Sequence, residues 1–365
     1  MKHNFSAGPS ILPKPVFKEA AEAVLNFNNS GLSILEISHR SPDFVAVMDE
    51  TKKLVKGLLG IGDGWQVLFL TGGASTQFFM TVMNLLGKDA TAHYIDTGTW
   101  SKKAIKEAAR LGNINAVASS ADKGYTYIPK DVDIPTGGRY LHVTSNNTIF
   151  GTQYHSWPQT DSPIVADMSS DIFSRPLDMS KFGLIYCGAQ KNLGPAGLTL
   201  VILRDDFLAD FEPDIPTMLD YRIHIAKDSS FNTPPVFPIY VSMLTLRWLK
   251  SNGGLSAMAE RNMAKSSLLY AAIDRSPDFK GVVNKEDRSN MNVTFVLSNP
   301  EFEPRFLEMC NAAGIVGIKG HRSVGGFRAS IYNALPIESV QVLVDVMEQF
   351  SAKYGETKSA SLRAV

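Results

Sequence analysis

One lysine, Lys191, stands in a turn of small residues between two apolar runs, in LIYCGAQKNLGPAGLTLVILR (184–204). With so little bulk around it, a large partner can come close to its amine. Asp167 ends the apolar run in PIVADMSSD. A carboxylate at the carboxyl end of a strand, where open α/β sheets bind ligands, either caps a helix or faces a cationic ligand atom. TGGAST (71–76) separates a strand-like run from a helix-like one. Its glycines let a ligand approach the backbone, and the free N–H groups of a helix start favour an anion. The stretch has neither the Gly-Lys-Thr of a nucleotide-triphosphate loop nor GxGxxG spacing.

Each feature alone has an ordinary reading: a solvated turn lysine, a helix cap, a plain strand-to-helix turn. Together they meet the needs of pyridoxal phosphate. Its phosphate suits a helix N-terminus, its pyridine nitrogen needs a carboxylate to stay protonated, and its aldehyde needs an amine for a Schiff base. Trp100, in DTGTWS, offers a flat face to such a ring, although core packing also explains a tryptophan there.

These residues need a frame. PKPVFKEAAEAVLNF (13–27) and PDFVAVMDETKKLVKGLLG (42–60) have helical spacing, with Pro15 and Pro42 in first-turn positions. Strand and helix patterns then alternate: QVLFL, STQFFMTVMNLLG, TAHYID, SKKAIKEAARLG, then short strands at INAVAS, RYLHVT, PIVADM and GLIYC. That rhythm predicts an α/β fold with a mainly parallel sheet between helices. Residues 205–238 read as an irregular, Asp- and Pro-rich arm. Two helices follow, and after Lys280 a smaller α+β unit: NVTFVL, EPRFLEMCNAAG, IVGIK, FRASIY and IESVQVLVDVMEQFSAKY. The tail, 356–365, is polar and is expected to fray.

At 365 residues, two domains are the natural prior. Lys+Arg and Asp+Glu are equal at 36 each, which argues against a general nucleic-acid binder. The two cysteines, Cys187 and Cys310, have no metal or redox spacing and read as small buried hydrophobes. The start lacks the apolar core of a signal peptide and no run approaches membrane-spanning length, so a soluble cytoplasmic protein is expected, with no metal.

GAQKNLGPAGLT (188–199), with ADMSS (166–170) before it and FNTPP (231–235) after it, resembles the class V aminotransferases. FSAGPSILP (5–13), EISHRS (36–41) and GHRSVGGFRASIYNA (320–334) agree, the last being particular to the branch of that family that works on phosphoserine. The likeness covers essentially the whole chain before the tail. It implies the pyridoxal-phosphate-dependent transferase fold of type I, with a large domain over 14–254 and a small one over 255–365 joined by 1–13.

By the same resemblance, Lys191 would bind the cofactor aldehyde and shuttle the proton, and Asp167 would pair with the pyridinium nitrogen. Ala74, Ser75, Thr148 and Gln190 would contact the phosphate or the ring oxygen, and Trp100 would stack on the ring. Asn232 and Thr233 would reach the cofactor phosphate of a neighbouring subunit, which implies a homodimer with shared sites. Arg328 would take the α-carboxylate. His39 and Arg40, from the other subunit, with His321 and Arg322 would take the distal phosphate of phosphoserine or the distal carboxylate of glutamate. The implied reaction is reversible transamination between L-glutamate and 3-phosphonooxypyruvate, giving O-phospho-L-serine and 2-oxoglutarate in serine biosynthesis. Related enzymes also serve pyridoxine biosynthesis.

Ser75 stands where some members carry arginine, and Ala7 where others carry serine. Serine–glyoxylate aminotransferases and cysteine desulfurases share the frame, but a desulfurase needs an exposed, mobile cysteine. A phosphate-binding module without catalysis would leave Asp167 and Lys191 without a role.

Overall fold

The computed structural model describes residues 2–208 and 214–355; the tail read as frayed lies outside them. A two-residue strand, β1 (His3–Asn4), precedes helices α1 (Lys14–Leu25) and α2 (Pro42–Leu59). Pro15 and Pro42 do occupy first turns, where a missing N–H costs nothing. The Ser41 side chain caps α2 by accepting from Phe44 N–H at 3.4 Å.

Strands and helices then alternate: β2 (Trp65–Leu70), α3 (Gly73–Leu85), β3 (Thr91–Asp96), α4 (Thr99–Ala108), β4 (Asn113–Ser119), β5 (Leu141–Thr144), β6 (Ile164–Asp167), β7 (Phe182–Gly188) and β8 (Thr199–Arg204). These seven strands form one sheet in the order β2-β8-β7-β6-β5-β3-β4. Only β8 runs against its neighbours, so the sheet is mainly parallel, as expected.

Side-chain alternation explains the layers. Val67, Phe69, Ile185, Cys187, Leu200 and Ile202 point to one face, where α1 and α2 pack with α6 (Val236–Ser251). Leu68, Leu70, Leu184, Tyr186, Val201 and Leu203 point to the other, under α3 and α4. Strands covered on both sides must be apolar throughout, hence the unbroken runs in the sequence.

Of the stretch read as an irregular arm, 209–213 lie outside the described residues, and the rest is more ordered than expected. A single helical turn and a half, α5 (Tyr221–Ala226), docks on α3. The Tyr221 hydroxyl donates to Gln77 Oε1 at 2.5 Å, its N–H donates to Asn84 Oδ1 at 2.8 Å, and Asn84 Nδ2 donates to the Leu219 carbonyl at 2.7 Å. Asp and Pro mark a chain without periodicity, and here side-chain bonds replace the ladder.

Helix α7 (Gly254–Arg275) runs from one core to another: Leu255 and Met258 belong to the first, Leu269, Ala272 and Ile273 to the second. The second core holds β9 (Phe279–Gly281), β10 (Asn292–Leu297), α8 (Glu303–Ala312), β11 (Ile315–Val316), β12 (Phe327–Ser330) and α9 (Ile337–Tyr354). Its sheet is antiparallel in the order β12-β10-β9, while β1 pairs in parallel with β11 and ties the N-terminus to this unit. Among the described residues no helix is long and apolar enough to cross a membrane.

Five phenylalanines knit the second core. Phe306 lies 5.2 Å from Phe279, 4.9 Å from Phe327 and 5.4 Å from Phe350, ring to ring, with Phe295 at 6.3 Å. Phe306→Ala is expected to cost about 3–5 kcal/mol in urea unfolding, from lost burial plus the cavity left behind. A loss below about 1 kcal/mol would mean that this cluster is not what holds the unit together.

Candidate active site

The carboxyl ends of the parallel strands converge on a cavity of about 310 Å³. Asp167, the last residue of β6, is buried there. Its Oδ1 accepts from the Ser169 N–H at 2.9 Å and the Ser169 hydroxyl at 2.6 Å. Oδ2 has no protein donor among the described residues. Burial raises the carboxyl pKa; the Ser169 bonds and the Lys191 charge pull it back. The Gly188 N–H donates in turn to Ser169 Oγ at 3.2 Å, which locks the end of β7 to that of β6.

Lys191 follows β7 in the turn of small residues, and its Nζ donates to Thr148 Oγ1 at 2.9 Å. Burial lowers its pKa to about 8; Asp167 opposes this and the Arg328 charge adds to it. Residues 7–10 close the cavity from the N-terminal side. Ser10 N–H donates to the Gln190 carbonyl at 3.0 Å and Ser10 Oγ to the Lys191 carbonyl at 2.5 Å.

Helix α3 starts at the cavity wall, with Gly73, Ala74 and Ser75 lining it. Gly72 has φ 96° and Gly73 φ 72°, a left-handed pair that turns the chain sharply from β2 into the helix. A Cβ on Gly72 would collide with Thr76 Oγ1. No side chain caps this helix, so its first N–H groups are available to an anion.

Trp100, on α4, lines the cavity, and its indole N–H is buried without a partner. Arg328, on β12, also lines it, with Nη1 3.5 Å from the Thr148 carbonyl and Nε buried and unpaired. His321 lines it too; burial lowers its pKa, helped by Arg328, Arg322 and Lys103.

The structure therefore brings together Ala74, Ser75, Trp100, Thr148, Asp167, Gln190, Lys191, His321 and Arg328. It does not bring His39, Arg40, Asn232, Thr233 or Arg322 of the same chain into that cavity. Arg40, Thr233 and Arg322 are exposed, and Asn232 lines a smaller cavity of about 160 Å³ that also touches Gly72 and Thr76. Cys187 and Cys310 are both buried, against the requirement of a desulfurase.

The sequence reading missed Ser169, Ser170, Asn146 and the layer behind them. Asn146 Nδ2 donates to Ser170 Oγ at 2.8 Å and to Asn292 Oδ1 at 2.7 Å. Asp171, a second buried carboxylate, accepts from Ser145 and from Gln153 at 3.1 Å. The available signal was a density of small polar residues, SNNT and DMSSD, directly after apolar strands.

The fold and this cavity define a class, and the chain belongs to it: the family Aminotransferase class-V matches residues 2–343. Within that class, the chain is 61% identical to the phosphoserine aminotransferase of Flavobacterium johnsoniae, over 96% of this chain and 99% of that one. The solved phosphoserine aminotransferase of Bacillus circulans subsp. alkalophilus superposes with a TM-score of 0.94 at 45% identity, covering 97% of this chain and 99% of that one. The pyridoxal-phosphate-bound phosphoserine aminotransferase of Trichomonas vaginalis superposes at 0.91 with 35% identity, over 95% and 100%. The type I fold expected of pyridoxal-phosphate-dependent transferases is the fold of this chain.

The depressed Lys191 pKa has a thermodynamic consequence. An unfolded lysine titrates near about 10.4, so the unfolded chain binds the extra proton between about pH 8 and 10. In cofactor-free protein, Lys191→Met is expected to be the more stable form at pH 6–7, and its advantage should shrink as pH rises through that window. Urea midpoints across pH check this; a gap that does not change with pH would contradict the burial of the amine.

Proposed function

We propose that this chain transfers an amino group between L-glutamate and 3-phosphonooxypyruvate, giving O-phospho-L-serine and 2-oxoglutarate, in serine biosynthesis. It would work in the cytoplasm as a homodimer with shared sites. Pyridoxal phosphate is the cofactor. The observation that carries the reading is the pair Lys191 and Asp167, the first half-buried and the second buried, lining one cavity whose wall is an uncapped helix start.

The cavity fits the cofactor on its own evidence. The free N–H groups at Gly73–Ser75 suit its phosphate, Oδ2 of Asp167 lacks a donor, and the Trp100 face suits its ring. Thr148 and Gln190 would complete the holding set, and Lys191 Nζ would hold the group at its aldehyde. When bound, the group supplies an electron sink for the pair left behind as the substrate's α-proton departs.

The chain's residues do the rest. Lys191 must be neutral to take that proton, and a pKa of about 8 leaves a usable neutral fraction near pH 7–8. Thr148 Oγ1 accepts from Nζ and would orient the free amine. Asp167 keeps a negative charge opposite the ring nitrogen, and Ser169 holds that carboxylate in one orientation. Arg328 takes the carboxylate common to all four substrates, with a guanidinium fork suited to it. His321 and Arg322 would meet the distal phosphate or carboxylate, joined by His39 and Arg40 of a second copy. These two, like Arg322, lie outside the cavity of their own chain. Asn232 and Thr233 would reach across in the same way.

Purified protein is expected to be yellow, to bleach with borohydride and to gain on Lys191 the mass of the cofactor less one oxygen. Lys191→Ala should lose roughly 10²–10⁴-fold or more in kcat while keeping its circular dichroism. A colourless wild type, or an active Lys191→Ala variant, would end this reading.

A further inference from the structure

Lys265 lies in the middle of α7 with a side chain almost wholly buried, yet it does not line the catalytic cavity. Among the described residues it forms no ion pair. The charge acting on it, that of Arg261, has like sign. A buried lysine without a carboxylate is costly, so something must use its donors.

Its Nζ donates to the Ile331 carbonyl at 2.8 Å and to the Tyr332 carbonyl at 2.7 Å. Both residues follow the end of β12; the Ile331 carbonyl has no backbone donor among the described residues, while the Tyr332 carbonyl also accepts from the Leu335 N–H at 3.0 Å. One amine can serve two diverging carbonyls. Burial pushes Lys265 down to about 7, and a neutral amine has N–H groups enough for both.

The clamped segment leads directly to the site. Arg328 lies on β12 itself. The Tyr332 hydroxyl donates to the Ala7 carbonyl at 2.8 Å and accepts from Asn292 Nδ2 at 3.2 Å, and Ala7 lines the cavity. The next residue, Asn333, donates its N–H to Oδ1 of Asn192, the neighbour of Lys191, at 3.0 Å. Asn262, one helical turn before Lys265, donates to Asn333 Oδ1 at 2.8 Å.

We propose that Lys265 is a positioning residue for the carboxylate end of the substrate: by clamping the carbonyls of Ile331 and Tyr332 it fixes where Arg328 presents its guanidinium. The inference rests on Arg328 as the carboxylate site. The clamp acts equally on amino donor and acceptor, because both carry that carboxylate.

The test is steady-state kinetics on holoenzyme with glutamate and with phosphoserine. In Lys265→Met, KM for both substrates should rise roughly tenfold, with kcat changed less than about threefold. Lys265→Gln keeps two N–H donors on a shorter arm, and its KM values should rise about two- to fivefold. A graded order, Lys below Gln below Met, supports the clamp. Wild-type KM values in folded Gln or Met variants, with only the melting temperature lowered, overturn it; if Lys265→Met does not fold, Lys265→Gln decides alone. Arg328→Ala is run alongside. If it leaves KM unchanged, the carboxylate reading falls and takes this inference with it. If it raises KM while the Lys265 variants do not, only this inference falls.

Discussion

The structure turns on the removal of water from two opposite charges. A lysine in water is protonated at neutral pH and cannot take a proton. Burial brings the Lys191 amine down to about 8 and pushes the Asp167 carboxyl up, and each group's charge restrains the other's shift. An isolated buried carboxylate would tend to protonate, and the Lys191 charge restrains that. The pair stays poised between those states, which is where proton-transfer chemistry is easiest.

Sheltering that pair from water needs material on several sides. The sheet supplies the floor, since the ends of β6 and β7 are tied through Ser169 and bring Asp167 and Lys191 to the same cavity. Helix α3 supplies one wall and its N-terminal dipole, α4 another through Trp100. The remaining cover comes from far along the chain. Residues 7–10 lie over Gln190 and Lys191, while the strand just before them pairs with β11 in the second unit. Arg328 arrives from that same unit on β12. The cavity is thus closed by two segments anchored in the second unit, one of which also bonds the Gln190 and Lys191 carbonyls.

Polar layers take the place of packing where the two units meet. Asn146, Asn292, Ser170 and Ser289 bond to one another behind the cavity, and Asn262, Asn333 and Asn192 do so beside Lys191. Apolar contacts would fill this seam as well, but they are non-directional. Amide and hydroxyl bonds fix one arrangement, because an unmade buried bond costs far more than a loose methyl contact.

Local chemistry was legible in the sequence because it depends on residue type and near neighbours. The small residues around Lys191, the carboxylate closing an apolar run and the Gly-Gly turn before a helix announce themselves within a few positions. The alternation of Val67–Leu70 and of Leu200–Leu203 likewise set the layered sheet. What could not be read depends on partners distant in the chain. Ser169 looks like any turn serine until Gly188 donates to it, and Lys265 looks like a surface lysine of α7 until two carbonyls of a strand end meet it. The docked turn at 221–226 was missed because side-chain bonds to α3, and no periodicity, hold it. The sequence by itself determined which groups could react and which strands must be buried. The tertiary structure alone decided which of the many cations face the cavity and which amines lose their water, since desolvation is a property of the surroundings and not of the residue.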